Sequence, residues 1–170
     1  MIDTEDRKYI MKTAIEKLLN SLNTILADFD KKVLEDTKEK MLERRIKLHE
    51  YKKNTKYSFS SEYYSALHDI CGGKTWYNII NNHSEEDLLI IVEKNCANVV
   101  KKRNASIAKK LEKAGITKVL EEKYSTTSDG YNGEYIINTD SGTKSVIIET
   151  ILAGGYNIQC LHHRVLVKVK

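Results

Sequence analysis

The feature that most constrains this chain is a change in the spacing of its apolar residues at Gly115. Before this glycine, apolar side chains recur every three or four residues, which is the period of an amphipathic helix, and no proline interrupts the pattern. After it, the period becomes two and β-branched residues are frequent, which is typical of strands. The sequence therefore predicts an α+β fold, with an N-terminal helical arm or bundle followed by a small antiparallel β-sheet of about four strands.

Residues 1–57 are predicted to form a helical arm. Apolar residues follow helical spacing from Asp3 to about Asp30, and the pattern then loosens in a strongly charged segment that continues to about Lys53. These two stretches form either a helical hairpin or one long helix. Both arrangements present an apolar stripe, which pairing with a second copy of the chain would bury. The sequence therefore predicts a homo-oligomer assembled through the N-terminal helices.

Residues 58–115 are predicted to form a second helical region, which begins with two short elements. Ser60 or Ser61 caps a short helix that runs through Ile70, where paired glycines follow and stop it. The apolar and aromatic residues of the next segment, Lys74–Asn81, predict a short helix or a turn.

A long helix is predicted between Ser84, which approximates the start of a capping box, and Gly115, which ends it. Its apolar arc contains two charged residues, Arg103 and Lys110, which we expect to make specific contacts. The basic residues from Lys94 to Lys113 have two interpretations. They complement the helix dipole, since acidic residues lie at the start of the same helix, or they form a phosphate-binding face.

Residues 116–170 are predicted to form the antiparallel β region. Basic and acidic residues are equally numerous there, so this region lacks the clustered basic face expected of a nucleic-acid-binding sheet. The predicted strands span residues 118–125, 134–139, 144–152 and 159–168. The predicted connections are a loop at 128–133, a tight turn at 140–142 and a bulge or bend at 153–155.

The composition predicts a soluble protein of the cytoplasm. No apolar run approaches the roughly 18 residues of a membrane span, and no signal peptide follows Met1. The three cysteines, Cys71, Cys96 and Cys160, include no C-x-x-C pair, so we expect reduced thiols and neither a disulfide framework nor a closed zinc site. We expect no cofactor.

The most unusual stretch lies between the predicted third and fourth strands and continues into the fourth. Paired glycines allow the backbone to approach a ligand closely, an aromatic ring offers a stacking face, amide side chains read polar edges and an arginine holds a phosphate or carboxylate. The same residues also suit a Gly-Gly bend whose polar side chains satisfy the exposed backbone. The ligand-binding candidates are Tyr156, Asn157, Gln159, His162 and Arg164.

Two adjacent histidines, His162 and His163, do not form a chelating pair. Neighbouring residues of a strand point to opposite faces, so they cannot bind one ion together. His162 shares its face with Arg164, which makes this pair the better ligand-facing combination, and Glu149 on the third strand is placed to orient one of them. The spacing His68-x-x-Cys71 lacks the other ligands of a tetrahedral site. We therefore predict no metal site, and without a recognisable catalytic motif we predict no enzyme.

The second half of the chain resembles a group of small accessory proteins encoded by bacteriophages. The resemblance begins near Leu88 and rests on the helix segment VVKKRNA-x-I at 99–107, the loop SDGYNG at 128–133 and the tail AGGYNIQCLH-x-RVLVK at 153–168. Three residues of the loop, Asp129, Tyr131 and Asn132, are also ligand-binding candidates. The resemblance implies a viral protein that acts in the host cytoplasm during infection and blocks a host defence or redirects a host enzyme, mostly by binding. The overall plan also resembles that of anti-Thoeris sponges, which sequester cyclic ADP-ribose signals.

Our first hypothesis is a non-enzymatic protein that inhibits a bacterial defence by sequestering a nucleotide-derived signal. Tyr156 would stack on the base, Asn157 and Gln159 would read its edge, and Arg164 together with Arg103 would hold phosphate.

Two other hypotheses stay open. The protein inhibits a defence by direct contact with a host protein, using its helical surface and its tyrosines. Alternatively it binds nucleic acid through the basic helix segment 94–113, with an affinity that falls steeply with salt.

Overall fold

The structure is a computed structural model, and it describes residues 3–54, 68, 70–71, 73–127, 130–152 and 161–169. It shows the predicted α+β class, in which helices precede a four-stranded antiparallel sheet. The elements are α1 (Thr4–Asn54), α2 (Lys74–Asn82), α3 (Glu85–Ala114), β1 (Ile116–Thr127), β2 (Gly130–Thr139), β3 (Gly142–Leu152) and β4 (Leu161–Val169). The short helix predicted through Ile70 falls largely outside the described residues.

The N-terminal segment forms one helix of 51 residues and not a helical hairpin. No glycine or proline occurs between Thr4 and Asn54 to break it. Acidic residues occupy its first turn and basic residues its last turn, which complements the helix dipole at both ends. No helix in the described part of the chain is both long and apolar enough to cross a membrane.

The described elements group into two compact units. The first unit contains α1 up to Asp30, α3 from Val99 and the whole sheet. The second contains α1 from Lys31, α2 and α3 up to Asn98. Each unit thus combines segments that are distant in sequence. The predicted division of the chain into three consecutive parts, at residues 57 and 115, stays a prediction.

The sheet is a meander with strand order β1-β2-β3-β4. The predicted tight turn is confirmed: Thr139 pairs with Gly142, and the Thr139 hydroxyl accepts the Ser141 N–H at 3.2 Å. The predicted loop at 128–133 is wrong over its last four residues, because β2 already begins at Gly130. The glycines of this segment look like turn residues, but Gly133 lies in a strand and provides space for a neighbouring side chain.

One face of the sheet is buried against the helices of the first unit, and we call it the inner face. Its side chains alternate along β2 and β3 with those of the opposite, outer face. The buried core formed by α1, α3 and the inner face comprises Ala14, Leu18, Leu22, Leu26, Ile107, Leu111, Ile116, Tyr131, Tyr135, Ile137, Val146 and Ile148. The apolar stripe in the first half of α1 is thus covered by the chain's own sheet, and its burial requires no second copy. The homo-oligomer stays a prediction.

The second unit has its own core, which comprises Met41, Leu48, Cys71, Ile80, Leu88 and Val92. Lys38 on α1 and Glu93 on α3 form an ion pair with a nitrogen-to-oxygen distance of 2.5 Å. Burial raises the pKa of the Cys71 thiol, so this cysteine is held in its neutral form.

The ends of α3 agree with the predicted caps. The Ser84 hydroxyl accepts the Asp87 N–H at 3.2 Å, which satisfies one of the free donors at the helix start. At the other end Gly115 adopts φ 74, a left-handed conformation that favours glycine, and its N–H donates to the Glu112 carbonyl at 3.0 Å.

A buried ion pair joins the two helices of the first unit. Arg103 on α3 is 1% exposed, and its guanidinium donates to both carboxylate oxygens of Asp30, at 2.8 and 2.9 Å. The same guanidinium donates to the Asn23 side chain at 3.0 Å, and Asn23 in turn donates to Asn104 at 3.1 Å. Arg103 therefore makes the specific contacts that its place on the apolar arc predicts. This polar network fixes the register of α1 against α3.

We predict that Asp30→Ala lowers the free energy of unfolding by about 3 kcal/mol, because it leaves a buried guanidinium without its carboxylate. The measurement is urea denaturation of the single variants Asp30→Ala and Arg103→Met and of the double variant. We expect the double variant to lose less stability than the sum of the single losses, since no unpaired charge stays buried. A loss below about 1 kcal/mol for Asp30→Ala, as for a surface pair, would contradict this account.

Candidate functional site

Two of the predicted ligand-binding residues lie on the outer face of the sheet. Asn132 on β2 and Arg164 on β4 are both exposed there. His162 takes an outer-face position on β4, opposite Ile151, although its side chain is outside the description. Four further candidates lie outside the described residues: Asp129, Tyr156, Asn157 and Gln159.

Two other predicted residues are placed elsewhere. Tyr131 lies on the inner face and is 3% exposed, so its ring belongs to the core. Arg103 lies in the helical layer, where its guanidinium is bound to Asp30. The structure therefore does not bring Arg103 and Arg164 together, and the expected shared phosphate clamp is replaced by a structural ion pair and a separate exposed arginine.

Strand register aligns four polar residues in one row across the outer face. Ser125 on β1 pairs with Asn132 on β2, Asn132 pairs with Glu149 on β3, and Glu149 pairs with Arg164 on β4. We call these four residues the polar row. Neighbouring strands lie about 4.8 Å apart, so the row spans about 15 Å. It presents a hydroxyl, an amide, a carboxylate and a guanidinium in sequence.

An open groove lies over the first three residues of the polar row. Its volume is about 260 Å³, and besides Tyr131 of the inner face it is lined by Ser125, Thr127, Gly130, Asn132, Glu149 and Ile151. Ile151 is 51% exposed and supplies an apolar surface at one side of the groove. The groove thus combines an apolar contact with hydrogen-bonding groups, as small-molecule sites do.

Glu149 and Arg164 are cross-strand neighbours of opposite charge. Such neighbours attract each other weakly. Within the described residues no carboxylate lies within ion-pair distance of the Arg164 guanidinium. In that part of the chain no carboxylate occupies its donors. The register places Glu149 opposite Arg164 and not opposite His162, and the orientation of either residue by Glu149 stays a prediction.

Behind the groove, on the inner face, lies a cluster of three tyrosines. The hydroxyls of Tyr131 and Tyr135 are hydrogen-bonded to each other, and the ring of Tyr124 stacks on that of Tyr131 with centroids 6.1 Å apart. Burial raises the pKa of both Tyr131 and Tyr135 above the usual range of tyrosine. Their contacts help to position β2, the strand that carries Asn132.

Gly133 is required by this cluster. A Cβ atom at this position would lie 2.1 Å from the Tyr131 hydroxyl oxygen and 2.6 Å from the Tyr131 ring carbon that carries it. The glycine therefore leaves space in which the Tyr131 ring lies flat along β2 and reaches Tyr135.

Sequence reasoning missed Ser125, Thr127 and Tyr135 as parts of this region. Ser125 is the last residue of the predicted first strand, and Thr127 lies beyond it, because β1 extends two residues further than predicted. The alternation Tyr131-x-Gly133-x-Tyr135 was available as a signal for a strand but was interpreted as a loop. In the described part of the chain no three histidine, cysteine, aspartate or glutamate residues come together as a metal site would require.

Comparison with known proteins finds no match: no protein-family model, no curated protein and no solved structure is similar to this chain. The functional argument therefore rests on the geometry of the polar row and the groove.

We predict that Gly133→Ala lowers the free energy of unfolding by about 1 to 3 kcal/mol, because the added methyl group overlaps the buried Tyr131 ring. Urea denaturation measures the loss. The control is the same substitution in a Tyr131→Ala background, where the overlap is gone and the further loss is expected to be small. An equal loss in both backgrounds would show that the cost comes from the backbone and not from the tyrosine.

We also predict that stability falls as pH rises above about 10, the ordinary pKa of tyrosine. The folded state keeps the phenol protons of Tyr131 and Tyr135 that the unfolded state releases, so the unfolded state binds fewer protons. The measurement is the free energy of unfolding between about pH 9 and 11, in a Cys71→Ala background, because the Cys71 thiol is also a buried acid with a raised pKa. Tyr135→Phe should reduce the slope, by at most about 1.4 kcal/mol per pH unit. An unchanged slope would contradict the assignment.

Proposed function

We propose that this protein is a non-enzymatic binding protein that holds a nucleotide-like small molecule on the outer face of its sheet. The observation that carries the proposal is the polar row, which presents complementary donors and acceptors along one straight line of about 15 Å. A nucleotide has the same linear order of chemistry: a base edge, ribose hydroxyls and a phosphate.

The charges of the row suggest one orientation of the ligand. Arg164 is the cation of the row and suits a phosphate, with which a guanidinium forms paired hydrogen bonds. Glu149 repels a phosphate but accepts hydrogen bonds from ribose hydroxyls. Asn132 offers both a donor and an acceptor and suits the edge of a base. The base would therefore occupy the groove and the phosphate would extend toward β4.

The size of the groove supports the same arrangement. Its volume of about 260 Å³ lies just below the range of about 300–1,000 Å³ found for small-molecule sites. It suits one part of a nucleotide, while the rest of the ligand extends along the row. A ligand held this way stays partly open to solvent.

The sequence candidates between β3 and β4 join this proposal as predictions. Leu152 and Leu161, which flank that connection, pair with each other three residues beyond Glu149 and Arg164, a distance of about 10 Å. We propose that Tyr156 stacks on the ligand and that Asn157, Gln159 and His162 contribute polar contacts.

The biological role that we propose comes from the resemblance to small phage proteins. Sequestering a nucleotide-derived signal in the host cytoplasm would inhibit a bacterial defence without any chemical change in the ligand. Binding stoichiometric with the protein is therefore sufficient for the role.

We predict that a nucleotide or cyclic nucleotide raises the melting temperature of the full-length protein. A ligand at 100 times its Kd stabilises the folded state by about 2.7 kcal/mol, which a thermal-shift screen detects. Arg164→Ala and Asn132→Ala should each abolish most of the shift, because the first removes the proposed phosphate contact and the second the proposed contact with the base edge.

The matched control is Lys118→Ala, which removes an exposed cation from the outer face at the opposite end of the sheet and should leave the shift unchanged. Chromatography of the released ligand should recover it intact. Full binding by both row variants would contradict the site, and a consumed ligand would contradict a non-enzymatic role.

A further inference from the structure

The two edges of the sheet differ in how they are protected from pairing with another strand. β1 shows register irregularities between Ile116 and Lys118 and between Val119 and Glu121. Its central part also carries adjacent charged residues, including Glu122 and Lys123. Irregular register and charged side chains are the usual means by which an edge strand avoids a partner.

The opposite edge, β4, lacks such irregularities. All nine of its residues, Leu161–Val169, pair with β3 in continuous register. In the part of the chain that the structure describes, no strand pairs with its other side. The backbone N–H and C=O groups along that side therefore have no partner strand among the described residues, and the half-buried residues Val165, Leu166 and Val167 make the middle of the edge apolar.

A groove accompanies this edge. Its volume is about 330 Å³, and it lies between the last turns of α3, at Lys110, Lys113 and Ala114, and the three central residues of β4. The groove follows an available strand edge, which is the arrangement used when a protein binds an extended peptide as an added strand.

Basic side chains flank the edge on both faces of the sheet. Lys110 and Lys113 on α3 are exposed and line the groove on one face, and Arg164 and Lys168 are exposed on the outer face. Among the described residues none of these four forms an ion pair. If a strand were added to β4, the side chains on each of its two faces would therefore lie near basic residues.

We propose that the outer edge of β4 binds an extended acidic segment of a partner protein by β-strand addition. Backbone hydrogen bonds to β4 supply the sequence-independent part of the affinity. Alternate acidic side chains of the segment face Lys110 and Lys113, and the others face Arg164 and Lys168. Valine-sized residues between the acids contact the apolar middle of the edge.

Charge excludes a second copy of this chain as the preferred occupant. In an antiparallel pair of two β4 strands, Arg164 and Lys168 of one copy would lie on the same face as those of the other. Like charges placed across a strand pair are unfavourable. An acidic segment in the same place would instead be attracted by Arg164 and Lys168.

The test uses the full-length protein and a fluorescent peptide of repeated Glu-Glu-Val-Val, which places glutamates on both faces of an added strand, with binding followed by anisotropy. Lys110→Glu with Lys113→Glu should weaken binding about tenfold or more, because two attractions become repulsions. The control, Lys101→Glu with Lys102→Glu, makes the same charge change at exposed positions of α3 outside the groove and should leave the affinity unchanged.

A second measurement tests strand addition itself and is independent of the charge variants. Hydrogen exchange of β4 amides should slow when the peptide is bound, and N-methylation of alternate peptide amides should abolish binding. Three results would overturn the proposal: equal weakening by both lysine pairs, bound peptide without slower β4 exchange, or an oligothymidylate that binds as tightly as the peptide. A dimer whose β4 amides are protected without peptide would also overturn it, in favour of a second copy.

Discussion

Burial of the inner face of the sheet against α1 and α3 determines on which face Asn132 and Arg164 lie. Side chains alternate along a strand, so a slip of one residue would move Asn132 and Arg164 into the core and Tyr131 onto the surface. The core of the first unit prevents this slip because residues such as Tyr135, Ile137 and Val146 fit only one side. The polar row therefore exists as a consequence of hydrophobic packing on the other face.

Local signals in the sequence were sufficient for the fold class and for several details. Alternation along β4 correctly separates Val165 and Val167 from Arg164, and the turn after Thr139 and the serine cap of α3 lie where short-range rules predict them. These features depend on neighbours a few residues apart, which is the range over which periodicity and capping rules operate.

Contacts between distant segments were not predictable in the same way. Arg103 was singled out by its place on an apolar arc, but its partner Asp30 lies 73 residues earlier in the chain. The polar row depends on the register of three strand pairs at once, and that register follows from turn lengths and packing that no local pattern contains. Gly133 was interpreted as a turn residue because its function, space for the Tyr131 ring, involves a contact that becomes visible only in the folded strand.

The neutral charge of the last third of the chain conceals an uneven distribution across the sheet. On β1 acidic and basic residues are balanced, whereas the charged residues described on β4 are both basic. Arg164 stands where the two proposed surfaces meet, because it ends the polar row and flanks the β4 edge. Both proposals thus depend on an anionic group that reaches Arg164, which belongs to a small molecule in one proposal and to a peptide in the other.

The central claim is that the polar row forms one continuous binding surface. Its most direct test is an NMR titration of isotope-labelled full-length protein with the nucleotide that gives the largest thermal shift. Our account predicts that signals of Asn132, Glu149 and Arg164 move together and saturate at the same ligand concentration, while those of the inner-face residue Ile137 change little. Changes confined to α2 and the first half of α3, or different saturation for the three residues, would contradict it.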